Sequence, residues 1–306
     1  MARYLVGRLG QALLVMLAIT TIVFFVLRLA PGDPARILLG DLATQEEVHA
    51  LRVQMGLEEP LYVQYTIFIR NLLQGNMGKS IAFRTPAFPL VLERLPATVE
   101  LSLVAWVLAI VIAFPLGLVA AVRPRSPVAF FYTVFTAGAQ AMPSFWLGIM
   151  LMLVFAAWLQ ILPGSGRGAP QQMILPALAL ALNPAAILAR LIRAGMVDVM
   201  EKDYIRTALA KGLGEVIIVV RHALKNMLIP VVTLMGLQLG VFLGGAVVTE
   251  TVFAWPGVGR LAIVAIGGRD YPMVQSAVLV LAFVFTLVNL LVDIAYMFLD
   301  PRIRYV

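Results

Sequence analysis

An all-α, polytopic membrane protein with six transmembrane helices is the fold class this sequence predicts. Three observations carry that expectation: an apolar excess, apolar stretches of spanning length, and basic residues that alternate between those stretches. Hydrophobic residues make up 61% of the 306 and charged residues 13%, whereas soluble domains carry roughly a quarter charged residues. A net charge of +7 would suggest nucleic acid for a soluble chain. In a membrane chain it is what Lys and Arg retained in cytoplasmic loops produce, so no nucleic-acid partner is expected. The absence of cysteine excludes disulfides, thiolate metal sites and a Cys nucleophile.

A spanning helix needs about 20 predominantly apolar residues. Six stretches qualify, at 9–29, 101–122, 130–159, 173–192, 228–248 and 273–299. The first follows Arg3 and Arg8 and could be a signal peptide, but its apolar run is longer than that of a typical signal, so a retained helix is expected. Arg123 and Arg125 follow the second stretch, and Arg302 and Arg304 follow the sixth. Arg190, Arg193, Lys202, Arg206, Lys211, Arg221 and Lys225 surround the segment between the fourth and fifth. These regions alternate correctly for one side, and the positive-inside rule makes them and both termini cytoplasmic.

The predicted organisation is an N-terminal helix with a long extracytoplasmic loop (1–95), a five-helix core (96–299) with a cytoplasmic loop at 194–226, and a tail at 300–306. Within the first loop, residues 45–55 read as a short helix stopped by Gly56. Pro60 opens a second, with Leu61, Tyr65, Phe68 and Leu72 on one face before Gly75. That face is expected on the membrane or on neighbouring helices. PGDP at 31–34 is a turn cluster closing the first span. There is no convincing internal repeat, which argues against an inverted-repeat secondary transporter.

The stretch GNMGKS at 75–80 ends like a phosphate-binding loop. The position that should hold the leading glycine is Leu73, and the loop falls outside, so a helix-terminating turn is expected. His49 and His222 are the only histidines and lie on opposite sides by the charge rule, which leaves no two-His metal site within one chain. Gly164-Ser165-Gly166 has no partner base in evidence. No catalytic residue, metal site or bound cofactor is therefore expected.

Charged residues within the spans are few. Asp293 shares a helical face with Asn289 and reads as a structural partner for a loop Arg rather than a proton carrier. Gly236, Gly240 and Gly244, with Gly245 adjacent, leave a side-chain-free stripe on the fifth span. It could serve packing within the chain or contact with a second subunit. Gln140, Ser144, Asn183, Gln238 and Asn289 are candidates to line a translocation path, or each could satisfy a neighbouring backbone group.

The segment DYIRTALAKGLGEVIIVVRHALKNMLIP at 203–230 interrupts the apolar pattern with charge and glycine. Divided at Gly212 and Gly214, each half is amphipathic. Val197, Met200, Tyr204 and Ala208 recur on one face, then Val216, Val220, Ala223 and Met227. Two short helices at an angle are expected. The opposite faces carry Asp203, Arg206 and Lys211, then Arg221 and Lys225. Spacing alone leaves open an interfacial helix on anionic lipid.

This segment resembles the cytoplasmic coupling loop of ABC importer permeases, on Ala208, the intervening Leu209 to Lys211, and Gly212. The usual Glu-Ala-Ala opening is here Arg206-Thr207-Ala208, a departure. PGDP at 31–34, TETVFAWPGVGRL at 249–261, RDYPMVQ at 269–275 and NLLVDIAYMFLDPRIR at 289–304 extend the similarity along nearly the whole chain, toward the dipeptide, oligopeptide, glutathione and nickel branch.

The resemblance implies a type I importer permease that pairs with a homologous permease and works with two ABC ATPase subunits, which would bind ATP and Mg. It further implies an extracytoplasmic substrate-binding protein and short peptides as substrate, with nickel or another small solute as the alternative. Asp203, Tyr204, Arg206, Thr207, Ala208, Ala210, Lys211 and Gly212 would then couple to the ATPases. Phe253, Trp255, Pro256 and Gly257 would lie near the binding-protein docking surface, although Trp255 could be an interfacial anchor.

Overall fold

The computed structural model describes residues 2–29, 32–40 and 42–299, which are helical and turn-connected with no strand among them. The expected tail at 300–306 lies outside the described residues. Five helices are long and apolar enough to cross a membrane: α1 (Ala2–Leu29), α5 (Ala87–Val122), α8 (Gln171–Met200), α11 (Leu224–Val252) and α13 (Tyr271–Leu299). A sixth crossing is counted if α6 (Pro127–Ala141) and α7 (Ser144–Leu151, continued by a π-helical run Met152–Trp158) form one span. The expected third span, 130–159, is thus not one straight helix, since the pair is bent by 112°. Pro143 supplies the reason: it holds Met142 in an extended conformation (φ −105°, ψ 130°) and lacks the N–H that would continue the ladder.

The described residues form two compact units. The first contains the chain up to Thr98 together with Pro256–Thr286. Its small helices are α2 (Pro34–Leu39), α3 (Gln45–Gln54) and α4 (Leu61–Leu73). Gly56 (φ +66°) and Gly75 (φ +72°) stand where those stops were expected. The anticipated face of α4 lies on α1: Tyr65 and Phe68 rings stand 5.1 and 5.4 Å from the buried Phe24, and the Tyr65 hydroxyl meets Thr21 Oγ1 at 2.8 Å. Below it, Arg28 Nε donates to Gln64 Oε1 (2.7 Å) while its guanidinium lies 3.6 Å over the Phe24 ring. The core of this unit joins Ala87 and Val91 of α5, Val258 and Ala262 of α12 (Val258–Gly267), and Met273 and Ala277 of α13.

In the second unit, from Val99 to Trp255 and again from Leu287, α8 is the centre. Its alanines at 177, 179, 181, 185, 186 and 189 are buried, so neighbours approach its backbone closely. A Cβ on Gly117 of α5 would stand 2.6 Å from the Ala189 carbonyl oxygen, which fixes glycine there. One on Gly195 would press Met227 of α11 at 3.2 Å.

Candidate functional site

The charged elbow expected at 203–230 is present, with one more break than the sequence suggested. After α8 the chain turns at Glu201 and Lys202 before α9 (Asp203–Ala210). That break takes Val197 and Met200 out of register with α9. Its buried residues are Ile205 and Ala208, while Tyr204 is exposed, correcting the expected apolar face.

The end of α9 is closed by a Schellman arrangement: Leu213 N–H donates to Ala208 O (3.3 Å) and Gly212 N–H to Leu209 O (2.9 Å). This places Gly212 at φ +74°, the left-handed region that suits glycine. A Cβ there would meet no atom within 4 Å, so the requirement lies in the backbone angle rather than in space.

Gly214 then opens α10 (Glu215–Ile217), a π-helical turn follows at Ile218–Ala223, and α11 begins. The wider turn shifts the helical face. Ile218, Val219, Ala223 and Met227 are buried, whereas Val216 and Val220 of the expected face are exposed.

Polar side chains of the elbow are mostly on the surface. Arg206 Nη1 stands 3.6 Å from Asp203 Oδ1, with the two side chains 73% and 98% exposed. Thr207 Oγ1 donates back to Asp203 O at 3.0 Å, and Lys211 caps the helix. Ala210 is also exposed. One bond ties α9 to α11: Asn226 Nδ2 donates to the Tyr204 hydroxyl at 2.8 Å. Neither Asn226 nor the buried Ile205 stood out in the sequence. A lone Asn 22 positions from its partner carries no local signal, whereas the apolar spacing of Ile205 three before Ala208 is the signal that could have found it.

At the other candidate surface, Phe253 is 0% exposed and Trp255 1%. Phe253 packs on Leu175 and Ala179 of α8, and its carbonyl accepts from Gly166 N–H (3.1 Å). Arg167 lies 5.8 Å from the Trp255 ring and pairs with Glu100 at 2.6 Å. These two aromatic side chains are therefore scaffold for the loop and are not available as contacts on its surface. Trp255 is not the exposed interfacial anchor considered above. Gly257 is buried and Pro256 half-buried; with Phe83, Leu90, Arg94 and Arg260 they line a cavity of about 240 Å³.

The path candidates fall in the second unit. Asn183 Nδ2 donates to Ala139 O (3.3 Å) at the end of α6, capping a carbonyl that the α6–α7 break leaves open. Gln140, the next residue, has its Nε2 enclosed without a hydrogen-bond partner. Ser144 begins α7 and is half-buried, as is Asn289; Gln238 is buried on α11. Asp293 is half-buried on α13. Of the glycine stripe, Gly240 is buried and Gly236 half-buried, but Gly244 faces open space. A close approach is found at the adjacent Gly245, whose Cβ position lies 3.2 Å from Leu180 of α8.

Residues 113–305 match the family of binding-protein-dependent transport system inner membrane components, and residues 1–102 match the N-terminal region of such membrane components. The chain belongs to this family. The permease is accordingly a multi-pass protein of the inner membrane. The dipeptide transport system permease protein DppB of Alkalihalophilus pseudofirmus is 38% identical to it, with both chains covered in full. The glutathione transport system permease protein GsiC of Escherichia coli strain K12 is 40% identical over 306 residues, again with both covered in full. A chain of the MetNI methionine ABC transporter in inward-facing conformations superposes with a TM-score of 0.57 at 18% identity, covering 69% of this permease and 96% of that chain. That likeness is one of fold.

Proposed function

We propose that this permease pairs with a homologous permease to form the translocation path of an ATP-driven importer for di- and tripeptides or glutathione. Two partner ATPase subunits hold ATP and Mg and press on α9, and an extracytoplasmic protein delivers the substrate. Both termini and the 190–226 segment face the cytosol. The observation that carries the reading is the elbow. A short helix is plugged into the chain by Ile205 and Ala208, ended by a glycine cap, and left with Asp203, Arg206 and Lys211 outward. Full-length similarity to dipeptide and glutathione permeases supports the substrate class.

A chain built this way has no need of its own nucleotide site, because movement of the ATPases reaches α8 and α11 through α9. The test is uptake of labelled dipeptides and glutathione by vesicles carrying the whole assembly. ATP-dependent, binding-protein-dependent accumulation of either supports the proposal. Uptake of nickel without peptide overturns the substrate, and an external signal from a reporter fused near Gly214 overturns the orientation and the coupling role.

A further inference from the structure

Next to the elbow lies a groove that coupling does not use. The last turns of α5 (Leu118, Val119 and Val122) face Val216, Val219 and Val220 across a cavity of about 280 Å³, with Arg123 and Glu215 on its rim. Val216 is 75% exposed and Val220 58%. Bare valines of this kind on a helix beside a span mark an interaction surface.

Two features identify the occupant. One wall is the end of a helix long and apolar enough to cross the membrane, so the groove opens where the hydrocarbon layer stops. The cavity itself carries the guanidinium of Arg123 beside the carboxylate of Glu215, and the exposed Arg125, Arg221 and Lys225 close by in the sequence make this part of the chain basic. An apolar slot continuous with a span, with the Arg123 guanidinium on its rim, fits a lipid tail with a phosphate head.

We propose that this groove binds one anionic phospholipid, its acyl chain against the two valine walls and its phosphate at Arg123. The bound lipid would brace the π-helical turn between α9 and α11. The lipid belongs to the cytoplasmic leaflet, an assignment that alone rests on the orientation proposed above. The charged face of α9 is left free for the ATPases.

The test uses the assembled transporter, purified in detergent after exposure to phosphatidylglycerol or phosphatidylcholine, with retained lipid counted by native mass spectrometry. The wild type should hold one phosphatidylglycerol more than an Arg123→Gln, Val216→Asn variant, while Arg123→Lys should keep it. Assembly is judged by subunit content, and Val216→Asn alone serves if the double variant does not assemble. Equal phosphatidylglycerol retention by wild type and variant overturns the site, as does equal retention of phosphatidylcholine by the wild type. Efficient cross-linking of Val216→Cys to a partner chain also overturns it, because a protein would then fill the groove. Lipid retention is read without any transport, so failure of the peptide reading leaves this result standing.

Discussion

The turn at 78–86 and the elbow at 203–214 both place a short polar segment beside a helix end, yet they are built in opposite ways. In the first, everything converges on the buried Asp270. It accepts from Ser80 Oγ (2.5 Å), Ala82 N–H (3.1 Å) and Met273 N–H (3.1 Å), while Ser80 Oγ itself accepts from Phe83 N–H (3.0 Å). In the elbow the carboxylate of Asp203 is almost fully exposed and faces one arginine at 3.6 Å. A buried network fixes one geometry, because any missing member leaves unsatisfied groups out of water. The elbow takes its position from two apolar side chains and a cap, and its charges remain free to meet another protein.

The largest effect should come from breaking the buried network. Asp270→Ala leaves the Ser80 hydroxyl and two backbone N–H groups without their acceptor, at a cost on the order of 3 kcal/mol. Thermal unfolding in detergent should show a clear loss of stability, and protease should cut near the 78–86 turn. Unchanged stability and protection would mean that the turn is held by other contacts, and the contrast with the elbow would collapse.

Gly212→Val is the matching change in the elbow. A β-branched residue at φ +74° is strained by about 1–2 kcal/mol, felt at the end of α9 rather than in the spans. If the proposed assembly holds, insertion and permease pairing should persist, whereas substrate-stimulated ATP hydrolysis by the proposed partner subunits should fall steeply. A Gly212→Val complex with normal stimulation would separate the cap from coupling altogether.

How much of this contrast could be read from sequence follows the range of the signals. Gly56, Gly75 and Gly212 were legible because a glycine after an amphipathic run states its role locally. The Ser80–Asp270 pair was not, since its members stand 190 positions apart and each is ordinary in its own surroundings. The bend at Pro143 was written in the sequence, but the strong hydropathy on both sides masked it. Phe253 and Trp255 show the converse case, in which the sequence does not reveal burial. Aromatic residues in a loop invite a surface role, and only packing on α8 and Arg167 reveals them as interior. The exposed valines of 215–223 were misplaced because a regular 3.6-residue period cannot anticipate a π turn.

A smaller effect is expected at the hydrogen bond between α9 and α11. Tyr204→Phe removes the hydroxyl that accepts from Asn226 Nδ2, and an exposed hydrogen bond contributes about 0.5–1.5 kcal/mol. Tyr204→Phe and Asn226→Ala should each lower coupling modestly. Combined, they should do little more than either alone, since both remove the same bond. Fully additive losses would show that the two side chains act on different partners.

The smallest intrinsic effect belongs to the Asp203–Arg206 pair. Its 3.6 Å separation and high exposure put it among surface ion pairs worth roughly 0–1 kcal/mol, screened further by salt. Arg206→Ala should therefore leave the stability of the isolated permease unchanged. Any change in the assembled transporter must then come from a contact that Arg206 makes with another chain, since the chain itself loses almost nothing. ATPase stimulation measured at low and high salt separates the cases. If the residue meets an acidic surface on the ATPase, wild-type stimulation should weaken with salt and the Arg206→Ala complex should show a flatter dependence. Parallel salt curves would remove Arg206 from the proposed coupling surface and leave the proposal resting on Ile205, Ala208 and the Gly212 cap.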